Sequence, residues 1–248
     1  MTVHAIEVIA LGKEFGGLRA VDGVSLAVPA GERRVLIGPN GAGKTTLFHC
    51  ITGTLRPSSG RVRLFGRDVT RLAEHRRTAL GMGRTFQISN VLVELSLVEN
   101  LILALMGTTG RKWTSHRPVA AYADLRRRAL DGLERVGLGQ RADEAVARLS
   151  YGERRQLEFA LALNTNPKVL FLDEPCSGLS PSERQRISRM VAELPRDITL
   201  IMIEHDMDVA LALADRVTVL HRGKVILEGV PAEVQANPEV RDVYFGNV

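Results

Sequence analysis

The 248 residues carry 45% hydrophobic and 25% charged side chains, a balance that excludes a fibre or a disordered chain and is enough for a sizeable core. The net charge of +5 fits a mildly basic enzyme surface, with weak attraction to a membrane surface in reserve; the arginines at 61, 63, 67, 71, 76 and 77 alternate with apolar rather than aromatic residues, so no nucleic-acid partner is expected. Two cysteines and no apolar run long enough to span a bilayer exclude a disulfide framework and an integral membrane protein, and with no leader pattern the expectation is a soluble, cytosolic chain.

In chain order, residues 6–11 and 24–28 read as short strands. Between them Lys13-Glu14-Phe15-Gly16-Gly17 sets an aromatic beside glycines, so Phe15 is placed either to lie flat on an adenine ring or to pack inside a small sheet. A turn at Ala30-Gly31-Glu32 leads into the apolar strand Arg34-Val35-Leu36-Ile37. Next comes Gly38-Pro39-Asn40-Gly41-Ala42-Gly43-Lys44-Thr45-Thr46, opening the helix-like run 47–52. Strand, glycine-rich loop and helix are the context a P-loop requires. Its glycines let consecutive backbone N–H groups face a polyphosphate, Lys44 reaches the β- and γ-phosphates, the helix directs its positive end at the same charge, and the Thr45 hydroxyl is placed to ligate Mg²⁺.

Beyond it lie a turn at 57–60, the alternating strand 61–65, a second turn at 66–68 and a polar helix through Arg76-Arg77. Gln87 closes the strand-like run Gly83-Arg84-Thr85-Phe86-Gln87, where strand signals give way to helical spacing at 97–106 and 120–136. That helical stretch ends in Leu149-Ser150-Tyr151-Gly152-Glu153-Arg154-Arg155-Gln156. Ser150 with Glu153 is a capping box, so a helix N-terminus is expected there whether or not it also meets a phosphate.

The apolar strand 168–172 delivers Asp173 and Glu174 to a sheet end. Asp173 is placed to hold Mg²⁺ through water and Glu174 to polarise an attacking water. Ser180, Pro181 and Glu183 read as the start of another helix, and the strand 198–203 leads to Glu204-His205-Asp206. His205 is set to contact a γ-phosphate, or else is a structural histidine. Cys50 and Cys176 read as packing residues.

Taken together, Gly38 to Thr45, Gln87, Leu149 to Gln156, Val169 to Pro175, Ser177 to Ser180 and His205 resemble, in order and spacing, the Walker A, Q-loop, signature, Walker B, D-loop and H-switch of ATP-binding cassette ATPases. Within that superfamily, 15–21, 83–87, 149–153 and Val243-Tyr244-Phe245-Gly246 are similar to the LivG-type subunit of branched-chain amino-acid importers. The resemblance implies ATP and Mg²⁺ as cofactors, Phe15 as the adenine-stacking aromatic and Glu174, His205 and Gln87 as catalytic groups. It also implies Thr45, Gln87 and Asp173 around the metal, with Ser150, Gly152 and Glu153 reaching the nucleotide of a second cassette chain. Tyr151 and Glu153 depart from the usual Ser-Gly-Gly-Gln signature, and Ser180 stands where many relatives have Asp.

The expected fold is α/β: a P-loop core formed by residues 1–86 and 149–248, with a small antiparallel N-terminal sheet and a helical subdomain over 87–148. Separate permease chains would carry the solute, a solute-binding protein would act through them, and the cassette would sit on the cytoplasmic side of the membrane. Three rivals stand beside this reading. A lipopolysaccharide-export ATPase shares much of the pattern. A cassette acting on nucleic acid or ribosomes usually has two cassettes or a long coiled coil, and neither is evident. A P-loop kinase has no use for Ser150 to Glu153 or His205.

Overall fold

The computed structural model describes residues 3–85, 91–108 and 122–245. Its first strands, β1 (His4–Phe15) and β2 (Leu18–Pro29), are longer than the apolar stretches alone suggest and pair antiparallel across the tight Gly16-Gly17 turn. With β4 (Ser59–Leu64) and β5 (Arg67–Asp68) they form a four-stranded antiparallel sheet in the order β2-β1-β4-β5.

The second sheet holds β3 (Arg33–Ile37), β6 (Met82–Arg84), β7 (Val169–Asp173), β8 (Thr199–Ile203), β9 (Arg216–His221) and β10 (Lys224–Gly229). Its order is β10-β9-β3-β8-β7-β6, parallel except for the edge strand β10. Strands β3, β7 and β8 are buried at every residue, which explains why their centres, 35–37, 169–172 and 200–203, read as continuous apolar runs rather than alternating ones.

Alternate residues of these strands serve two different cores. Leu36, Phe171, Ile201 and Ile203 face the antiparallel sheet and helix α1 (Lys44–Thr52), while Val35, Ile37, Leu170, Leu172, Leu200 and Met202 face the other way. On that second side pack α3 (Leu97–Thr108), α4 (Ala123–Arg135), α5 (Tyr151–Asn164) and α6 (Pro181–Ala192), through residues such as Leu101, Leu133, Leu157 and Ile187. The short α2 (Glu74–Thr78) contributes Arg77, 1% exposed, which donates to the terminal carbonyls of α1 at Cys50 and Ile51 and to those of Thr70 and Leu72. Carbonyls that end a helix have no partner within it, and a buried guanidinium here supplies several donors at once.

After β8 come α7 (Met207–Leu213), α8 (Pro231–Ala236) and α9 (Pro238–Phe245). The capping boxes expected at Ser150 and Ser180 both form. Cys50 and Cys176 are buried, and burial pushes their thiols up to about 11 and about 12. Among the described residues no helix is long and apolar enough to cross a membrane.

Candidate functional site

The loop between β3 and α1 is forced into shape by contacts that exclude side chains. Gly43 sits at φ 98°, and a Cβ there would stand 2.2 Å from the carbonyl oxygen of Ala20. Gly43 is also the N-cap of α1, which has no side-chain cap and no acidic residue in its first turn. The N–H groups and positive dipole end of the helix are therefore left for an anion. Lys44 is 5% exposed, and its ammonium donates to Gly38 O at 2.6 Å and Pro39 O at 3.0 Å, across the mouth of the loop. Burial holds this lysine below its ordinary value, with Glu174 and Asp173 acting in the opposite sense.

A cleft of about 620 Å³ opens over the loop, lined by Asn40 through Thr46 together with Phe15, Glu174 and His205. Phe15 stands at the end of β1, 46% exposed rather than packed inside the sheet, with the Lys13 ammonium 4.9 Å from its ring centroid. Arg19 and Arg222 also line the cleft. Neither is a candidate from sequence. Arg222 arrives through the β9–β10 turn, where the Gly223 N–H donates to Ala42 O and Gly223 O accepts from the Asp22 N–H, both at 2.9 Å. The only sequence signal there is the glycine at 223, which favours a turn and by itself says nothing about where the turn docks.

Two carboxylates end β7 with opposite environments. Asp173 is 1% exposed and, among the described residues, neither of its oxygens has a hydrogen-bond partner; Arg84 Nη2 lies 3.8 Å and His49 Nε2 3.9 Å from Oδ2. Burial raises its pKa, and Arg84 offsets part of that rise. A buried oxygen pair left without hydrogen donors, one residue before the cleft-lining Glu174, suits a hydrated hard cation.

Glu174 is partly open to the cleft and its Oε1 lies 2.6 Å from His205 Nε2. The backbone of Glu174 is left-handed, φ 48°. That conformation costs a residue with a Cβ on the order of 1–3 kcal/mol and persists where the surroundings over-determine it. Here the Glu174 N–H continues the β7–β8 ladder to Ile203 O at 3.0 Å.

Ser150, Gly152 and Glu153 lie elsewhere. They line a separate cavity of about 220 Å³ with Ser182, Glu183 and Arg186, and it contains none of the loop residues. Ser150 Oγ accepts the Glu153 N–H at 3.3 Å and Glu153 Oε2 accepts the Ser150 N–H at 2.8 Å. That backbone donor, reinforced by Arg141, holds the Glu153 carboxyl below the usual range. A Cβ on Gly152 would fall 2.1 Å from the Glu183 carboxylate.

Gln87, with Ile88 to Asn90, lies outside the described residues. Just beyond, Leu92 is 53% and Val93 40% exposed, whereas Val91 packs against the core that includes α3 and α5. Val91 thus differs from its two neighbours, its side chain being turned to that core. Leu92 lines a groove of about 300 Å³ with Val91, Leu103, Ala104 and Leu161, and with Glu74, Arg84 and Glu158 as its charged members.

The sequence matches the ABC transporter family over residues 21–177 and the branched-chain amino acid ATP-binding cassette transporter family over residues 224–248. It is 36% identical to BraF of Pseudomonas aeruginosa, a high-affinity branched-chain amino acid transport ATP-binding protein, and the match covers 99% of each chain. LivG of Escherichia coli, described in the same words, is also 36% identical over 99% of each chain. Among solved structures, the ADP conformation of an ATP-binding cassette of an ABC transporter superposes with a TM-score of 0.86 at 32% identity over the whole of both chains. A nucleotide-free cassette from an ABC transporter does so at 0.85, again at 32% identity over both chains. The resemblance read from the motifs is borne out: the chain belongs to the ATP-binding cassette family, as an ABC-transporter ATPase of the LivG and BraF type.

Proposed function

We propose that this ATPase powers the import of branched-chain or related hydrophobic amino acids, and that it hydrolyses ATP only when two cassettes close on each other. The observation that carries the hydrolytic reading is the single cleft in which the phosphate loop, Glu174 and His205 meet. Gly38 to Thr46 would cradle the phosphates, with Lys44 against the β- and γ-oxygens and Phe15 beneath the adenine.

Thr45 and Asp173, with Gln87, would hold Mg²⁺, which supplies positive charge to the phosphate oxygens during transfer. The orphaned Asp173 oxygens support that assignment. Glu174 would accept a proton from the attacking water, and His205, hydrogen-bonded to it, would orient Glu174 and donate to the departing γ-phosphate.

Ser150 and Gly152 open into a cavity of their own, so their phosphate would come from a partner chain. Residues 87–148 would act as a helical subdomain within a core of 1–86 and 149–248. The groove at Leu92 would receive a permease segment, placing the cassette on the cytoplasmic face of the membrane with a solute-binding protein acting through the permease. The cargo rests on the likeness to the BraF and LivG proteins.

Glu174→Gln should retain ATP binding and lose turnover by about 10²–10⁴-fold. Hydrolysis within a small factor of the parent, at matched Mg²⁺ and partner, would remove Glu174 as the base. A reconstituted transporter whose ATPase responds to no branched-chain or related amino acid would remove the cargo and leave the ATPase.

A further inference from the structure

We propose that Glu204 is a positioning residue for hydrolysis: its carboxylate ties the loop that carries Glu174 to the loop that carries His205 and holds that pair in register. The inference rests on the roles given above to Glu174 and His205.

Glu204 follows directly on β8 and is 3% exposed. Its two oxygens serve two different loops. Oε1 accepts the backbone N–H of Cys176 at 3.2 Å, two residues past Glu174. Oε2 accepts the N–H of His205 at 3.1 Å, with a longer contact from the Asp206 N–H at 3.5 Å.

The position explains why such a tie is needed. Strands β7 and β8 run parallel with Asp173 opposite Ile203, and the last rung of their ladder is the Glu174 N–H to Ile203 O bond. Past it the Glu174 backbone turns left-handed, stabilised locally by the Ser177 N–H to Glu174 O bond at 3.1 Å. That local bond sets the turn but says nothing about its distance from the neighbouring loop. The Glu204 carboxylate adds a bridge where the ladder has ended, between the two loops whose side chains make the 2.6 Å contact of Glu174 and His205.

Its chemistry fits a clamp better than a filler. Burying a carboxylate costs more than burying an apolar side chain of the same size unless hydrogen bonds compensate. What it contributes in return is two acceptors facing opposite ways, which no apolar residue and no amide supplies.

The test compares Glu204→Gln and Glu204→Ala with the parent, as full-length chain at saturating ATP and Mg²⁺, with Glu174→Gln run in parallel. Gln keeps the volume but replaces one acceptor by an NH₂ group facing a backbone N–H. Misplacing catalytic groups by about 1 Å can cost on the order of 10²-fold. We therefore expect kcat to fall by about that factor in Glu204→Ala and by an intermediate factor in Glu204→Gln, with KM for ATP, the affinity for a fluorescent ATP analogue and the melting temperature of Glu204→Gln close to the parent's.

Parental kcat in Glu204→Gln, with Glu174→Gln inactive, overturns the clamp. So does joint loss of melting temperature and nucleotide affinity in Glu204→Gln, which would make the residue a packing group. Turnover surviving in Glu174→Gln would instead overturn the reading of the base on which the clamp rests.

Discussion

The phosphate loop and the Ser150 cavity are built on the same local device, a turn that opens a helix, yet they are finished in opposite ways. Helix α1 begins at a glycine with no side-chain cap, and the Lys44 ammonium is held by the loop carbonyls of Gly38 and Pro39. Helix α5 begins with a closed capping box, and the Glu183 carboxylate lies against Gly152. A helix end left uncapped and backed by a cation can take a whole polyphosphate; a capped end beside a carboxylate cannot, and has only a hydroxyl and a few donors to add. The first is a site in its own right. Under the proposed function the second would be half of one, completed by the phosphates that another chain brings.

The largest effect that would break this contrast is expected at Lys44. Lys44→Ala should weaken ATP binding about 10- to 100-fold, the scale of a lost hydrogen bond to a charged group, and lower hydrolysis with it. Isothermal calorimetry that finds unchanged affinity would mean that the loop binds without its cation.

Next is Ser150→Arg, which should leave the chain's own nucleotide affinity intact and stop turnover. Where the chain pairs with a second copy of itself, mixing this variant with Lys44→Ala should restore part of the activity, since one composite site then pairs an intact loop with an intact Ser150. Full specific activity in a dilute monomer of the parent would erase the distinction between a whole site and a half site.

The smallest effect on the chain alone belongs to Leu92→Asp, outside both regions. Leu92 is 53% exposed, so melting temperature and ATP affinity should hardly move, a surface change being usually within about 0.5 kcal/mol. Solute-stimulated hydrolysis in a reconstituted complex should be lost. Retained coupling would disconnect the groove from the permease.

Much of the site was legible in the sequence because its parts are local. The Gly38 to Thr46 loop is contiguous, and the boxes at Ser150 and Ser180 are set by a spacing of three residues along one helix turn. The centres of the buried strands announced themselves as apolar runs because both of their faces are covered. Strand ends were less legible: β1 and β2 run on through polar residues because each has a partner to pair with, which local hydropathy does not reveal.

What only the tertiary structure decided are the contacts between chain segments far apart in sequence. Glu174 meets His205, 31 residues later, because β7 and β8 are neighbours in a parallel sheet. Arg222 reaches the cleft because the Gly223 turn is tied to Ala42. Among the described residues Asp173 is left without hydrogen-bond partners, the nearest cation, Arg84, standing 3.8 Å away. Glu204, ordinary in the sequence beside a histidine, becomes a bridge once Cys176 is placed against it. Motif and cap follow from backbone geometry over a few residues, whereas strand order and the depth of a carboxylate depend on how the whole chain buries its apolar surface.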